Sequence, residues 1–162
     1  MVTKMKKQEK TNVMRLLDQK KIPYVIHDYS DSGVIAGEDV AKTLGENPDE
    51  VFKTLVTVGK TKQYYVFLVP VCKELNLKKA AKAVGEKSIE MIKSKELLPL
   101  TGYVHGGCSP IGMKKVFPTT IDISAENLQK IFFSAGKIGF QVEVNTSDLS
   151  KILSFSFFDI TD

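Results

Sequence analysis

Hydrophobic and polar positions along the chain change their period several times, and each change predicts an element of secondary structure. Apolar residues recur at helical spacing in the segments 11–22 and 76–85, which predicts two amphipathic helices. Thr11 and Asn76 are residue types that cap helix starts, and Gly85 is suited to end the second helix. Shorter helical segments are predicted at 38–44, 47–50 and 146–153.

Alternating apolar and polar residues predict strands in much of the remaining chain. The alternation is cleanest from Ile138 to Val144, where every second residue is apolar. The predicted strands are 24–29, 51–58, 63–69, 119–124, 130–134, 138–144 and 155–160. Short helices scattered among these strands indicate a single α/β (α+β) domain built on a mixed, curved sheet or barrel. Long helices do not separate the strands regularly, which argues against a doubly wound sheet.

The composition agrees with one soluble domain. The chain has 162 residues, of which 43% are hydrophobic and 26% charged, values that are ordinary for a globular protein. The longest apolar run, about seven residues from Tyr64, is far below the roughly twenty that a membrane span needs. Residues 1–10 are polar and lysine-rich, so we expect a frayed basic N-terminus ahead of a domain over 11–162.

The two cysteines, Cys72 and Cys108, have no paired spacing. This suits a reducing cytoplasm, where we expect the protein, although one disulfide between them stays open. His27 and His105 add two possible metal ligands, but no two of these four residues have the spacing of a zinc motif. We therefore predict neither a metal site nor a cofactor.

The net charge of +4 permits contact with a polyanion without requiring it. The placement of the lysines is more informative, because Lys78, Lys79 and Lys82 fall opposite the apolar stripe of the predicted helix 76–85. They form either a basic face that contacts nucleic acid or an ordinary solvated helix face.

Lys53 is unusual because it stands inside an apolar strand segment. Strand alternation places it on the same face as Val51 and Leu55. If that face lines a pocket, the ammonium is partly desolvated and attracts a carboxylate or a phosphate. If the strand lies at the surface, the side chain reaches water instead.

Glycines are concentrated in the segment 102–112. Such a backbone adopts conformations that other residues avoid, and its exposed amides can bind a phosphate or a developing oxyanion. The segment is not a Walker A loop, because Met113 stands where that motif needs lysine. A shorter loop at 134–139 has a similar character, and both loops are also compatible with tight structural turns.

Cys108 is a conceivable nucleophile because His105 lies close to it in the sequence. A thiolate–imidazole pair needs a defined geometry, which proximity in a glycine-rich loop does not provide. No residue that would orient the histidine is apparent.

Four segments occur together in an order and spacing that resemble the YbaK/EbsC family, and the likeness covers about residues 11–160. The segments are Val51-Phe52-Lys53-Thr54-Leu55-Val56, Leu75-Asn76-Leu77-Lys78-Lys79-Ala80-Ala81, 102–112 and Ser134-Ala135-Gly136-Lys137. The resemblance implies a mixed β-barrel with surrounding helices, related to the editing domain of bacterial prolyl-tRNA synthetase. It also implies an aminoacyl-tRNA deacylase that removes cysteine from mischarged Cys-tRNA(Pro).

The resemblance assigns roles by position in this sequence. Lys53 corresponds to the essential lysine of the family. The residues that correspond to its substrate site are Tyr29, Thr54, Gly106, Gly107 and Ser134. The resemblance implies that the substrate's own thiol attacks its ester, so no enzyme nucleophile, metal or cofactor is implied. Docking with prolyl-tRNA synthetase, which would supply the tRNA(Pro) identity, is implied as well.

Two positions depart from the family pattern. Ala135 replaces a glycine that is frequent in the second loop, and Ala36 stands where some members carry a bulky aromatic residue. Either change could reshape the amino-acid pocket, so a deacylase for alanine or another small residue is an alternative. A non-catalytic module that binds tRNA or the synthetase is another, and a fold that separated Lys53, Gly106 and Ser134 would favour it.

Overall fold

The computed structural model describes residues 10–162. Its helices are α1 (Asn12–Gln19), α2 (Gly37–Leu44), α3 (Leu77–Val84) and α4 (Ser94–Thr101). Its strands are β1 (Tyr24–Asp28), β2 (Phe52–Gly59), β3 (Tyr64–Pro70), β4 (Ile89–Met91), β5 (Thr119–Asp122), β6 (Lys130–Ser134), β7 (Phe140–Asn145) and β8 (Ser156–Phe158). Short 3-10 turns occupy Ser30–Ser32, Pro48–Glu50, Ile123–Asn127 and Thr146–Lys151. None of the described helices is long and apolar enough to cross a membrane.

The two amphipathic helices begin where the sequence predicts, because local hydrogen bonds fix their first turns. The Thr11 hydroxyl accepts from the backbone N–H of Met14 at 3.2 Å in α1. The Asn76 side chain accepts from the N–H of Lys79 at 3.0 Å in α3. Gly85 ends α3 with a φ of 76°, the left-handed conformation that favours glycine.

The strands form two sheets, which confirms the predicted mixed α/β domain. One sheet is three-stranded and antiparallel, in the order β1-β7-β6. The other is five-stranded, in the order β4-β2-β3-β5-β8, and is mixed because β5 runs parallel to both β3 and β8. A parallel bridge between Val51 and Phe132 joins the two sheets, and the main apolar core includes Leu68 and Phe133.

The segment 89–101 contains an element pair that the sequence did not predict. Helix α4 carries Pro99 inside its length, and proline normally disfavours a helix interior. The helix still forms because the N–H of Lys93 donates to the Glu96 carboxylate at 3.0 Å, which secures its first turn.

The strand predicted from Thr119 forms as β5, and it is buried on both faces. Thr119, Thr120 and Asp122 are all buried, so other elements cover both faces of the sheet at β5. The Asp122 carboxylate is satisfied there by the backbone N–H groups of Ile160 and Ser124, at 3.1 and 3.2 Å.

The predicted frayed N-terminus lies outside the described residues except for Lys10. The Lys10 ammonium pairs with the Asp18 carboxylate, and its carbonyl accepts from the Arg15 guanidinium at 2.6 Å. Lys10 is therefore attached to the first helix.

Candidate active site

A cavity of about 330 Å³ opens where the two sheets meet. Its walls come from β2, from the ends of β1 and β6, from β7, from the start of α2 and from the glycine-rich segment 102–112. The predicted site residues on these walls are Tyr29, Lys53, Thr54, Gly106 and Ser134. The fold thus brings together residues that are far apart in the chain, although Gly107 does not line the cavity.

Lys53 lies in β2 and forms a weak ion pair with Glu74. Its side chain is 29% exposed, and its Nζ lies 3.3 Å from the Glu74 carboxylate, which is itself 80% exposed. Ion pairs in contact with water contribute at most about 1 kcal/mol to stability. An anionic ligand can therefore displace Glu74 from Lys53 at small cost.

Among residues 10–162, no strand pairs with the cavity-side edge of β2 between the bridge at Val51 and the β4 pairing at Thr57. Pairing with β4 extends only over Thr57 to Gly59. The N–H of Val71 donates to the carbonyl of Val51 at 2.8 Å, so the backbone groups of alternate residues from Val51 onward point toward β3. The backbone N–H and C=O of Thr54 consequently point toward the open edge, and its buried hydroxyl has no partner within residues 10–162.

The glycine-rich segment is held by hydrogen bonds within itself. The Thr101 hydroxyl accepts from the N–H of Tyr103 at 3.0 Å, and the Tyr103 hydroxyl donates to the carbonyl of Ile111 at 2.5 Å. Burial raises the pKa of Tyr103 to about 12, so its hydroxyl keeps the proton that it donates. The segment is therefore a fixed wall of the site.

Gly106 and Gly107 occupy different environments in this segment. Gly106 lines the cavity with a φ of 87°, and an added Cβ would lie 2.6 Å from the Ile35 side chain. Gly107 is buried behind the wall, where an added Cβ would lie 3.0 Å from the backbone nitrogen of Ile138. Gly106 is therefore placed to contact a ligand, whereas Gly107 lets the two glycine-containing loops approach each other.

Ser134 and Tyr29 supply hydroxyl groups on the other side of the cavity. The Ser134 oxygen accepts from the N–H of Gly136 at 3.1 Å, which leaves its own proton available to a ligand. Tyr29 is buried, and its backbone N–H donates to the carbonyl of Gly139 at 2.8 Å. Burial raises the pKa of Tyr29, so its phenol stays protonated.

The sequence did not single out Gln141, which also lines the cavity. Gln141 pairs with Ser134 across the strands β6 and β7, and only 3% of its surface is exposed. The polar Gln141 alternates with the apolar Val142, and this pattern suggested that Gln141 faces solvent. The sequence does not show that another element covers this face of β7.

The cysteines are poorly suited to nucleophilic catalysis. Cys108 is buried at the cavity wall, and burial raises its pKa to about 12, so its thiolate is scarce near neutral pH. His105 is exposed and lines the same cavity. Cys72 is exposed and donates to the Asp49 carboxylate at 3.2 Å, and its pKa is raised by partial burial and by that contact. Within residues 10–162 no group of three His, Cys, Asp or Glu residues could hold a metal ion.

The predicted basic face of α3 differs from the expectation at Lys79. The Lys79 ammonium bonds to the Asp159 carboxylate at 3.0 Å and to the carbonyl of Thr161 at 2.7 Å. Lys78 and Lys82 remain exposed. The face therefore offers two lysines to a polyanion, because the C-terminal segment engages the third.

Sequence comparison assigns the family. Residues 33–152 match the family model of the aminoacyl-tRNA editing domain, and every cavity residue except Tyr29 falls in that range. The chain is 44% identical over 161 residues to EbsC of Enterococcus faecalis (strain ATCC 700802 / V583), a candidate Cys-tRNA(Pro)/Cys-tRNA(Cys) deacylase. That alignment covers 99% of this chain and 98% of EbsC. The chain belongs to the aminoacyl-tRNA editing domain family. The predicted resemblance is thereby confirmed.

Two further comparisons extend the list of proteins to which this chain is similar. It is 29% identical over 103 residues to a proline–tRNA ligase of Shouchella clausii (strain KSM-K16), over 64% of this chain and 18% of that enzyme. A crystal structure described as a candidate trans-editing enzyme for prolyl-tRNA synthetase superposes with a TM-score of 0.80 at 21% identity. That superposition covers 95% of this chain and 99% of the other, and it confirms the fold.

Proposed function

We propose that this protein is a free-standing editing deacylase that removes cysteine from mischarged Cys-tRNA(Pro) in the cytoplasm. The observation that carries the proposal is the convergence of Lys53, Gly106 and Ser134 on one cavity of an aminoacyl-tRNA editing domain. The name of EbsC, to which the chain is 44% identical, supports the same activity. The direct test is to measure hydrolysis of Cys-tRNA(Pro) beside Ala-tRNA(Pro) and Pro-tRNA(Pro).

The cavity has the size and lining expected for a small aminoacyl group. Its volume of about 330 Å³ lies at the lower end of the range for ligand pockets. Apolar side chains such as Val51, Val71 and Phe133 form part of the wall, and polar residues that include Glu38, Lys53 and Ser134 form the rest. A small apolar or thiol side chain fits the apolar part of the wall better than a charged one.

The proposed reaction uses the sulfur of the substrate itself. The cysteine thiol attacks the carbonyl carbon of its own ester, a carbon–sulfur bond forms, and the bond to the ribose oxygen breaks. The thiol proton ends on that ribose oxygen, so the products are free tRNA and a cysteine thiolactone, which water then opens. This route requires no enzyme nucleophile, in agreement with the buried, protonated Cys108.

The protein contributes positioning and charge stabilisation to this reaction. Lys53 exchanges its exposed partner Glu74 for the developing negative charge on the substrate oxygen. The open backbone N–H of Thr54 and the hydroxyl of Ser134 supply further donors. A fixed set of donors stabilises the transition state more than water does, because the donors need no reorganisation.

Replacing the cysteines tests the absence of an enzyme nucleophile. We expect Cys108→Ala and Cys72→Ser, singly and together, to retain most of the deacylation rate, because neither sulfur forms or breaks a bond. The measurement is the single-turnover rate on Cys-tRNA(Pro), with thermal unfolding as the control for the buried Cys108. A well-folded Cys108→Ala protein without activity would contradict the substrate-thiol route.

Transfer RNA is expected to contact the exposed lysines of α3. This helix packs on the face of the large sheet that includes Val69, the cross-strand neighbour of Lys53. Lys78 and Lys82 therefore lie on the side of the molecule that carries the candidate catalytic lysine. Binding of the acceptor stem there would leave its 3′ end close to the cavity.

The salt dependence of tRNA binding tests this surface. Each lysine that neutralises a phosphate adds about 0.7 to 0.9 to the slope of log affinity against log salt. We expect the double variant Lys78→Ala/Lys82→Ala to flatten the slope and to change the rate at saturating substrate little. Lys60→Ala/Lys62→Ala, at the turn between β2 and β3, is the matched control. Equal slopes for both double variants would assign the lysines of α3 to a solvated face.

Selectivity for tRNA(Pro) is proposed to come from prolyl-tRNA synthetase. A domain of this size contacts little of a tRNA, and part of a proline–tRNA ligase is similar to this chain. A transient complex with the synthetase would supply the recognition of tRNA(Pro).

Deacylation of Ala-tRNA(Pro) is the second candidate function. Ala36 lines the cavity, so the absence of a bulky side chain there enlarges the space for the amino acid. Ala135 is fully buried and does not line the cavity. Of the two departures from the family pattern, only Ala36 therefore bears directly on which amino acid is accepted.

A further inference from the structure

Gln141 carries a buried polar atom without a partner at the wall of the cavity. Its Oε1 is shielded from solvent and accepts no hydrogen bond within residues 10–162, and the residue is only 3% exposed. Buried polar atoms nearly always have a partner, because an unpaired one retains the cost of its desolvation. Since Gln141 lines the cavity, a ligand with a hydrogen-bond donor is the natural partner.

Glu46 lies next to Gln141 but does not line the cavity. It follows Gly45 at the end of α2, where its N–H donates to the carbonyl of Ala41 at 2.9 Å. Both of its carboxyl oxygens are shielded from solvent, and that burial raises its pKa. The neighbouring Gln141 amide is the largest influence that lowers the pKa again, although neither carboxyl oxygen of Glu46 accepts a hydrogen bond within residues 10–162.

A second polar cluster fixes the surroundings of Glu46. His27 bonds to the Glu143 carboxylate at 2.8 Å, and Lys130 pairs with the same carboxylate at 3.4 Å. His27 and Lys130 also attract the Glu46 carboxyl, whereas Glu143 repels it. Glu46 is thus held among fixed charges and can orient the Gln141 amide.

The hydrogen-bond acceptors and donors of the cavity therefore lie on different parts of its wall. The wall at Gln141 carries an unpaired acceptor, whereas Lys53 offers a donor in β2. An aminoacyl ester has the same polarity, because its α-amino group donates hydrogen bonds and its adjacent carbonyl accepts them. The two patterns match when the α-amino group faces Gln141.

We propose that Gln141, positioned by Glu46, binds the α-amino group of the aminoacyl ester. This inference rests on the proposed deacylase function and names the part of the substrate that the cavity recognises. The enzyme then requires a free α-amino group, which excludes peptidyl-tRNA and N-blocked aminoacyl-tRNA. The Gln141 side chain thus discriminates against a tRNA whose amino acid is already joined to a peptide.

The wild-type protein provides the first test, with Cys-tRNA(Pro) and N-acetyl-Cys-tRNA(Pro) bearing a free thiol as the two substrates. We expect the acetylated substrate to have a kcat/KM lower by about tenfold to a hundredfold, the effect of losing one hydrogen bond to a charged group. Equal kcat/KM values would overturn the inference and leave the deacylase function standing. Hydrolysis of neither substrate would overturn both.

Variants of the two residues provide the second test. We expect Gln141→Met, which keeps the length of the side chain, to raise KM for Cys-tRNA(Pro) about tenfold or more and to leave hydrolysis of the acetylated substrate unchanged. Gln63→Met, in the exposed turn before β3, is the matched control. Because Glu46 acts through Gln141, Glu46→Ala should show the same substrate-dependent loss, and Glu46→Gln should restore the preference.

A structural role for Gln141 predicts a different pattern. In that case Gln141→Met lowers hydrolysis of both substrates by the same factor and in proportion to the loss of thermal stability. That result, or a Glu46→Gln protein that behaves like Glu46→Ala, would overturn the assignment of the α-amino site.

Discussion

Deacylation of Cys-tRNA(Pro) is expected to fall by about a thousandfold when Lys53 is replaced by alanine, the upper range for removing one charge-stabilising group. Lys53 is the charged donor that β2 presents to the cavity, and no other lysine lines it within residues 10–162. The fold should persist, since the only ion pair that Lys53 makes there is with the 80% exposed Glu74. The measurement is the single-turnover rate together with the unfolding temperature.

Glu74→Ala is the matched control for this experiment. Lys53→Ala and Glu74→Ala break the same ion pair, so both should change the unfolding temperature by a similar small amount. Only Lys53→Ala should lose activity, because Glu74 contributes nothing to the transition state. An active Lys53→Ala enzyme would contradict the proposed mechanism, and equal losses in both variants would assign Lys53 a structural role.

The second large effect is expected for Gly106→Ala, at about a hundredfold in the deacylation rate. The added Cβ would lie 2.6 Å from the Ile35 side chain, at a φ of 87° that alanine rarely adopts. The wall must therefore move, and a displacement of about 1 Å in a site can cost a hundredfold in rate.

Gly85→Ala is the control for backbone strain, because it introduces the same strained conformation without displacing the cavity wall. Gly85 has a φ of 76°, and an added Cβ there would have no atom within 4 Å. Both variants should lose roughly 1–2 kcal/mol of stability from the left-handed conformation, but Gly85→Ala should keep its activity. Similar activities for the two variants, measured at equal folded fractions, would show that Gly106 does not shape the site.

The elements that the sequence predicted correctly are those fixed by neighbouring residues. Thr11 and Asn76 each accept from an N–H three residues later, and Gly85 ends α3 through its own backbone conformation. Such interactions are complete within one turn, so they can be read from a short segment. Helix α4 was missed because Pro99 argues locally against a helix that other contacts stabilise.

The sequence alone determined most of the helices and strands, the mixed α/β class and, through its motifs, the family. The tertiary structure decided which of these residues meet. Alternation tells which residues share a strand face, but the element that covers that face comes from a distant part of the chain. For this reason the convergence of Tyr29, Lys53 and Ser134, the engagement of Lys79 by Asp159 and the placement of Gln141 in the wall followed only from the assembled sheets.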